Sequence, residues 1–136
     1  MKGKWFIISS VLIMLLVTGK TMGSEAKACL DRGNAYLNKG QYDLAMADFN
    51  KAIEIDPKFA KAYNNRGDAY EKKGQYDLAI ADFTKAIEVD PKFAFGYAFR
   101  GFAYGHKGQY DQAIADYVRA IVVAKLVGAH YKKEGN

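Results

Sequence analysis

The tract Lys39-Gly40-Gln41-Tyr42-Asp43 returns as Lys73-Gly74-Gln75-Tyr76-Asp77 and again as Lys107-Gly108-Gln109-Tyr110-Asp111, each copy 34 residues after the last. The match extends on both sides. Arg32-Gly33, Arg66-Gly67 and Arg100-Gly101 lie upstream, with Tyr36, Tyr70 and Tyr104 three residues beyond each glycine. Downstream, Ala45, Asp48 and Ala52 recur as Ala79, Asp82 and Ala86 and as Ala113, Asp116 and Ala120. A fixed period of this size means stacked units, none of which can bury its apolar face alone.

Each unit reads as two helices. Lys-Gly ends the first, because glycine adopts the left-handed conformation without a Cβ penalty and lysine suits the negative end of the helix dipole. The aspartate of Gln-Tyr-Asp is placed to cap the second helix with its carboxylate. That helix runs for about fourteen residues, roughly 21 Å. Asp56-Pro57 and Asp90-Pro91 stop it, since proline cannot continue the hydrogen-bond ladder. Gly33, Gly67 and Gly101 are expected opposite Ala45, Ala79 and Ala113, where the paired helices approach closely.

This arrangement resembles the tetratricopeptide repeat (TPR) family. The family pattern of small residue, Tyr, Ala, aromatic, Ala and Pro appears as Gly33, Tyr36, Ala45, Phe49, Ala52 and Pro57, then as Gly67, Tyr70, Ala79, Phe83, Ala86 and Pro91. The third copy is Gly101, Tyr104, Ala113, Tyr117 and Ala120, with Lys125 in place of proline. The resemblance implies an all-α fold: three stacked TPR helix-turn-helix units in a short right-handed α-solenoid. The units span 26–59, 60–93 and 94–125, and 126–136 prolongs the last helix or caps the stack. The resemblance is specific for fold and weak for function, because one fold hosts many activities.

Residues 1–23 read as a secretory signal peptide. Lys2 and Lys4 precede the apolar run Trp5 to Val17, and small residues stand two apart at Thr21 and Gly23. As a helix that run spans about 20 Å, short of a bilayer core of about 30 Å. Cleavage after Gly23 makes the protein periplasmic or secreted; an uncleaved segment makes residues 5–17 a membrane anchor. The full chain carries 20 basic and 15 acidic residues, and loss of Lys2, Lys4 and Lys20 leaves 17 against 15, or +2. That balance provides no electrostatic footprint for nucleic acid.

In TPR arrays the first helices line a concave groove, so the resemblance places a ligand there. The partner-binding candidates are Leu30 and Asn34 in the first unit, Lys61, Asn64, Asn65 and Asp68 in the second, and Phe95, Phe99 and Phe102 in the third. Glu71 is offered by the same helix as Asp68. The three phenylalanines share one helical face at i, i+4, i+7 and are not required by the repeat pattern. They suggest an apolar anchor. Two other uses stay open: cover by the tail around Leu126, Val127 and Tyr131, or a homodimer contact. Replacing Phe99 by Asp is expected to abolish partner binding while leaving helical content intact.

Some TPR domains hold acidic chaperone tails in a clamp of two asparagines and three basic residues. Asn34 and Asn65 occupy the asparagine places, but Leu30, Phe95 and Phe99 occupy the basic ones, so that clamp is absent. Arg32, Arg66 and Arg100 each stand sixteen residues before Asp48, Asp82 and Asp116, and three structural ion pairs between paired helices are expected. Cys29 reads as a small core residue. His106 and His130 have no second metal-type ligand at helical spacing, and no nucleophile or phosphate-loop arrangement stands out.

The functional expectation is a non-catalytic, cofactor-free, exported module that binds a protein or peptide. The alternative is a self-associating component of an envelope assembly. A small-molecule site beside His106 requires a closed pocket, which an open array rarely provides.

Overall fold

The computed structural model describes residues 2–135, with the backbone alone for residues 2–9, 11, 12 and 15–20. It contains six helices: α1 (Lys2–Asn38), α2 (Tyr42–Ile55), α3 (Ala60–Lys72), α4 (Tyr76–Val89), α5 (Ala94–His106) and α6 (Tyr110–Glu134). No strand occurs among the described residues. Helices pair as α1 with α2, α3 with α4 and α5 with α6, and each pair packs on the next through α2–α3 and α4–α5. The first helices also touch one another, α1 to α3 and α3 to α5. The result is an all-α solenoid.

The turn inside each pair is set by its glycine. Gly40, Gly74 and Gly108 have φ of +73°, +74° and +74°. Gln41 N–H then donates to the Tyr36 carbonyl at 2.9 Å and Gly40 N–H to the Leu37 carbonyl at 3.0 Å. This pair of reversed bonds satisfies carbonyls that the helix end leaves open. The same pair recurs at Gln75 and Gly74 and at Gln109 and Gly108.

Asp56 leaves the helical region at φ −130°, ψ 93°, ahead of Pro57. Its Oδ1 accepts from Lys58 N–H at 3.0 Å, and Tyr63 Oη donates to the Pro57 carbonyl at 3.0 Å. Asp90, Lys92 and Tyr97 repeat the device. In the third unit Ala124-Lys125 stands where the others have Asp-Pro, and α6 continues to Glu134. The tail therefore prolongs the last helix and does not fold back over the phenylalanines. Leu126, Val127 and Tyr131 instead face the turn Asp90–Lys92 across an open cleft of about 650 Å³.

One local expectation is corrected. Asp43, Asp77 and Asp111 are not N-caps: Gln41, Gln75 and Gln109 occupy that position, without side-chain capping bonds. The aspartates sit in the first turn, where negative charge still suits the dipole. Two of them bind across the unit boundary, Asp43 to Lys73 Nζ at 2.6 Å and Asp77 to Lys107 Nζ. Gly33 and Gly67 lie against aromatic rings of their paired helices. A Cβ on Gly33 would lie 2.5 Å from Phe49 Cε1, and one on Gly67 2.6 Å from Phe83 Cε1. A Cβ on Gly101 would lie 3.1 Å from the Ala113 carbonyl oxygen. α1 is one continuous helix from Lys2 to Asn38. Most side chains of the expected signal peptide lie outside the described residues. Among the described residues no helix is long and apolar enough to cross a membrane.

Ala45, Phe49, Ala52, Ala79, Phe83 and Ala86 are fully buried and form the spine of the core. Cys29 is half-buried against the first-unit cluster.

Candidate functional site

Groove-facing chemistry begins with what the core and the inter-helix bonds leave free. Leu30, expected in the groove, is packed in the core at 6 % exposure with Ala45, Phe49 and Ala62, so it has no face for a ligand. Asn34 and Asn65 engage each other, Asn65 Nδ2 donating to Asn34 Oδ1 at 2.6 Å, and so join the first unit to the second. Lys61 is exposed on α3.

The phenylalanine trio is split by its neighbours. Phe95 is 66 % exposed and leans on Phe93, with ring centroids 6.0 Å apart. Phe99 turns inward and stacks on Phe83 at 5.7 Å, against Ala79 and Ala103. Phe102 is 48 % exposed and meets His106 edge-on at 4.6 Å. His106 in turn stacks flat on Tyr76 at 5.0 Å. Replacing Phe99 by Asp thus places a charge against the Phe83 core and disturbs folding; Phe102 is the cleaner probe of the groove.

Phe99 and Phe102 line a cleft of about 280 Å³ with Ala98, Tyr117 and three residues of α3: Asp68, Glu71 and Lys72. Glu71 belongs to this site although its sequence position gave only a weak signal. Asn64, Asp68 and Glu71 share a face of α3 at i, i+4, i+7. Asn64 is buried at 4 % exposure, and both its Oδ1 and Glu71 Oε2 are shielded from solvent without a hydrogen-bond partner among the described residues. Burial, reinforced by the charge of Asp68 and opposed by Lys72, pushes the Glu71 carboxyl up to about 7. Burial also raises Asp68, with Lys72 pulling the other way from 3.9 Å.

A raised carboxyl means that the folded chain keeps the proton at a pH where the unfolded chain has lost it. Folding stability therefore falls as pH rises from about 4.5 to about 7, the reverse of a salt-bridged carboxylate. Glu71 is held in a setting that weakens the fold near neutrality, and such settings concentrate at functional sites.

Other clefts arise from the repeat itself. Gly40 to Leu44 with Lys73 form one, and Gly74 to Leu78 with Lys107 form its copy. The cleft between Pro57, Tyr63 and Val89 has its enlarged counterpart at Asp90–Lys92, where α6 overhangs the stack. The α3–α5 cleft is built from side chains that differ between units: Ala98, Phe99 and Phe102 stand where the second unit has Asn64, Asn65 and Asp68.

The Arg–Asp pairs lie between the paired helices. Arg32 donates to Asp48 at 2.8 and 2.6 Å, Arg66 to Asp82 at 2.7 and 2.7 Å, and Arg100 to Asp116 at 2.7 and 2.8 Å. All three are two-pronged. The spare nitrogen reaches back one unit, from Arg66 Nη1 to Asn50 Oδ1 at 2.8 Å and from Arg100 Nη1 to Thr84 Oγ1 at 3.1 Å. Each pair raises its guanidinium, chiefly through the aspartate hydrogen bond.

Comparison with known proteins agrees with this architecture. Family models for TPR repeats match residues 33–74, 60–93 and 83–115. No curated protein matches the chain in sequence. Among solved structures, the second TPR of Spaghetti (RPAP3) bound to the HSP90 peptide SRMEEVD is 28 % identical, with a TM-score of 0.73 over 78 % of this chain and 98 % of that one. The TPR2B domain of yeast Sti1 in its pHsp70 complex is 28 % identical, with a TM-score of 0.74 over 82 % and 90 %. The Arabidopsis OM64 TPR domain is 28 % identical, with a TM-score of 0.71 over 75 % and 84 %.

Proposed function

The chain belongs to the tetratricopeptide repeat family, and from that premise we propose that it is a protein-interaction module reading a peptide that carries a cationic side chain beside a large apolar one. The observation that carries this reading is the shielded, unpartnered Glu71 oxygen in a cleft walled by Phe99 and Phe102. A lone buried acceptor is costly, and a donor from a ligand offsets that cost. A lysine or arginine matches Glu71 and Asp68 together; a leucine or aromatic side chain covers the Phe102 ring.

The same groove is set against the acidic peptide that its structural relative holds. SRMEEVD carries two glutamates and an aspartate against a single arginine, so its net charge is negative. Here the first-unit cation place is the buried Leu30, the third-unit places are Phe95 and Phe99, and α3 adds two carboxylates. Like charge and unpaired desolvation both oppose that ligand.

A panel of labelled peptides tests the proposal by fluorescence anisotropy at pH 8. Peptides with Arg or Lys within three positions of Phe or Leu are expected to bind, and SRMEEVD is not. Phe102→Ala is expected to weaken binding about tenfold or more with helical content unchanged. Tighter binding of SRMEEVD, or indifference to Phe102→Ala, refutes the reading.

A further inference from the structure

The open end of the stack has a chemistry of its own. Tyr110, Ile114, Val118 and Ile121 form one stripe along α6, and all four are exposed, Ile114 at 60 %, Val118 at 55 % and Ile121 at 58 %. In the inner units the corresponding residues are Met46, Asn50 and Ile53, and Ile80, Thr84 and Ile87, which face the first helix of the following unit. Two details describe what fits α6. At the middle position the inner units present an acceptor to the next unit's arginine, Asn50 to Arg66 and Thr84 to Arg100. Val118 cannot accept, so a further helix bearing that arginine would leave its spare nitrogen unpaired. At the N-terminal end, Asp43 and Asp77 are each held by a lysine from the next unit. Asp111 has no such partner among the described residues, and neither does Lys125 further along the same side of α6. α1 does not reach this face.

We infer that the face is covered by α6 of a second copy, packed antiparallel about a two-fold axis beside Val118. That register sets Ile114 against Ile121 of the partner subunit, brings the two valines together, and places Asp111 against Lys125 of the partner subunit at both ends. Self-complementarity of this kind is what a two-fold interface requires. Charge selects the direction, because a parallel pair would set aspartate on aspartate and lysine on lysine. The inference is independent of the groove, which lies on the α3–α5 side.

Sedimentation equilibrium of the full chain tests it. The wild type is expected to show a reversible monomer–dimer equilibrium. Ile121→Glu and Val118→Arg, both at exposed sites, are expected to leave monomer only, with unchanged helical content by circular dichroism. Asp111→Lys and Lys125→Asp are each expected to raise the dissociation constant about tenfold, and the double exchange to bring it back towards wild type. A monomeric wild type, association untouched by Ile121→Glu, or a double exchange no better than the singles overturns the inference.

Discussion

Replacing Arg66 by Ala lowers the unfolding free energy by about 3–5 kcal/mol, a large share of a margin of about 5–15 kcal/mol for a domain. The arginine side chain is 21 % exposed and the Asp82 side chain 9 %. Removal of the guanidinium strands a largely desolvated carboxylate, and it also deprives Asn50 of its donor. One substitution thus loosens both the α3–α4 pair and the joint between the first two units. Thermal and urea unfolding of Arg66→Ala, set against the double variant with Asp82→Ala, measures this directly. The double variant is expected to recover part of the loss, because the stranded charge is gone. The Arg32 pair is two-pronged as well, and its Asp48 is nearly as shielded as Asp82, but its arginine is 63 % exposed and makes no third bond of the Arg66 kind among the described residues, so Arg32→Ala is expected to cost less. Equal losses at the two sites would contradict the burial argument.

Phe83→Ala is expected to cost about 3–5 kcal/mol. The ring is fully buried, fills the space left by the missing Cβ of Gly67, packs with Ala79 and Ala103, and carries Phe99 on its face. Its loss opens a cavity at the junction of the second and third units, and in a stacked array a weakened junction uncouples both neighbours. Tyr117 holds the same place in the last unit but is 40 % exposed, so Tyr117→Ala is expected to be markedly milder. Urea denaturation of the two variants side by side checks the order. Because Phe99 also walls the groove, Phe83→Ala should weaken peptide binding even where the chain remains folded.

The repeat period, the glycine turns and the sixteen-residue Arg–Asp spacing were readable because each depends on neighbours within one helical hairpin. What escaped the sequence depends on how one hairpin meets the next. Asp43 looks like a cap until Lys73, thirty residues on, is seen against it. Leu30 looks like a groove residue until the twist of α1 turns it onto Phe49. The three phenylalanines do share a helical face, yet that face straddles the boundary between core and groove, so Phe99 goes in while Phe95 and Phe102 stay out. Glu71 was visible as a residue offered to the groove by α3, with nothing to set it apart from its polar neighbours. Its significance comes from apolar walls contributed by α5, which no local pattern announces.

Recognition in the groove rests on an ionised Glu71 meeting a cation on the bound peptide. The most direct measurement is the affinity of one Arg- and Phe-containing peptide at pH 6 and pH 8, for wild type and for Glu71→Gln. The Glu71 carboxyl titrates at about 7, so the wild type should bind about tenfold more weakly at pH 6, where it is mostly protonated. Asp68 and Lys72 flank it and His106 stands beside Phe102, so the variant isolates the contribution of Glu71. Glu71→Gln is expected to bind weakly at both pH values with little difference between them. A wild type whose affinity does not change with pH, or a variant that keeps the full pH dependence, would contradict the account.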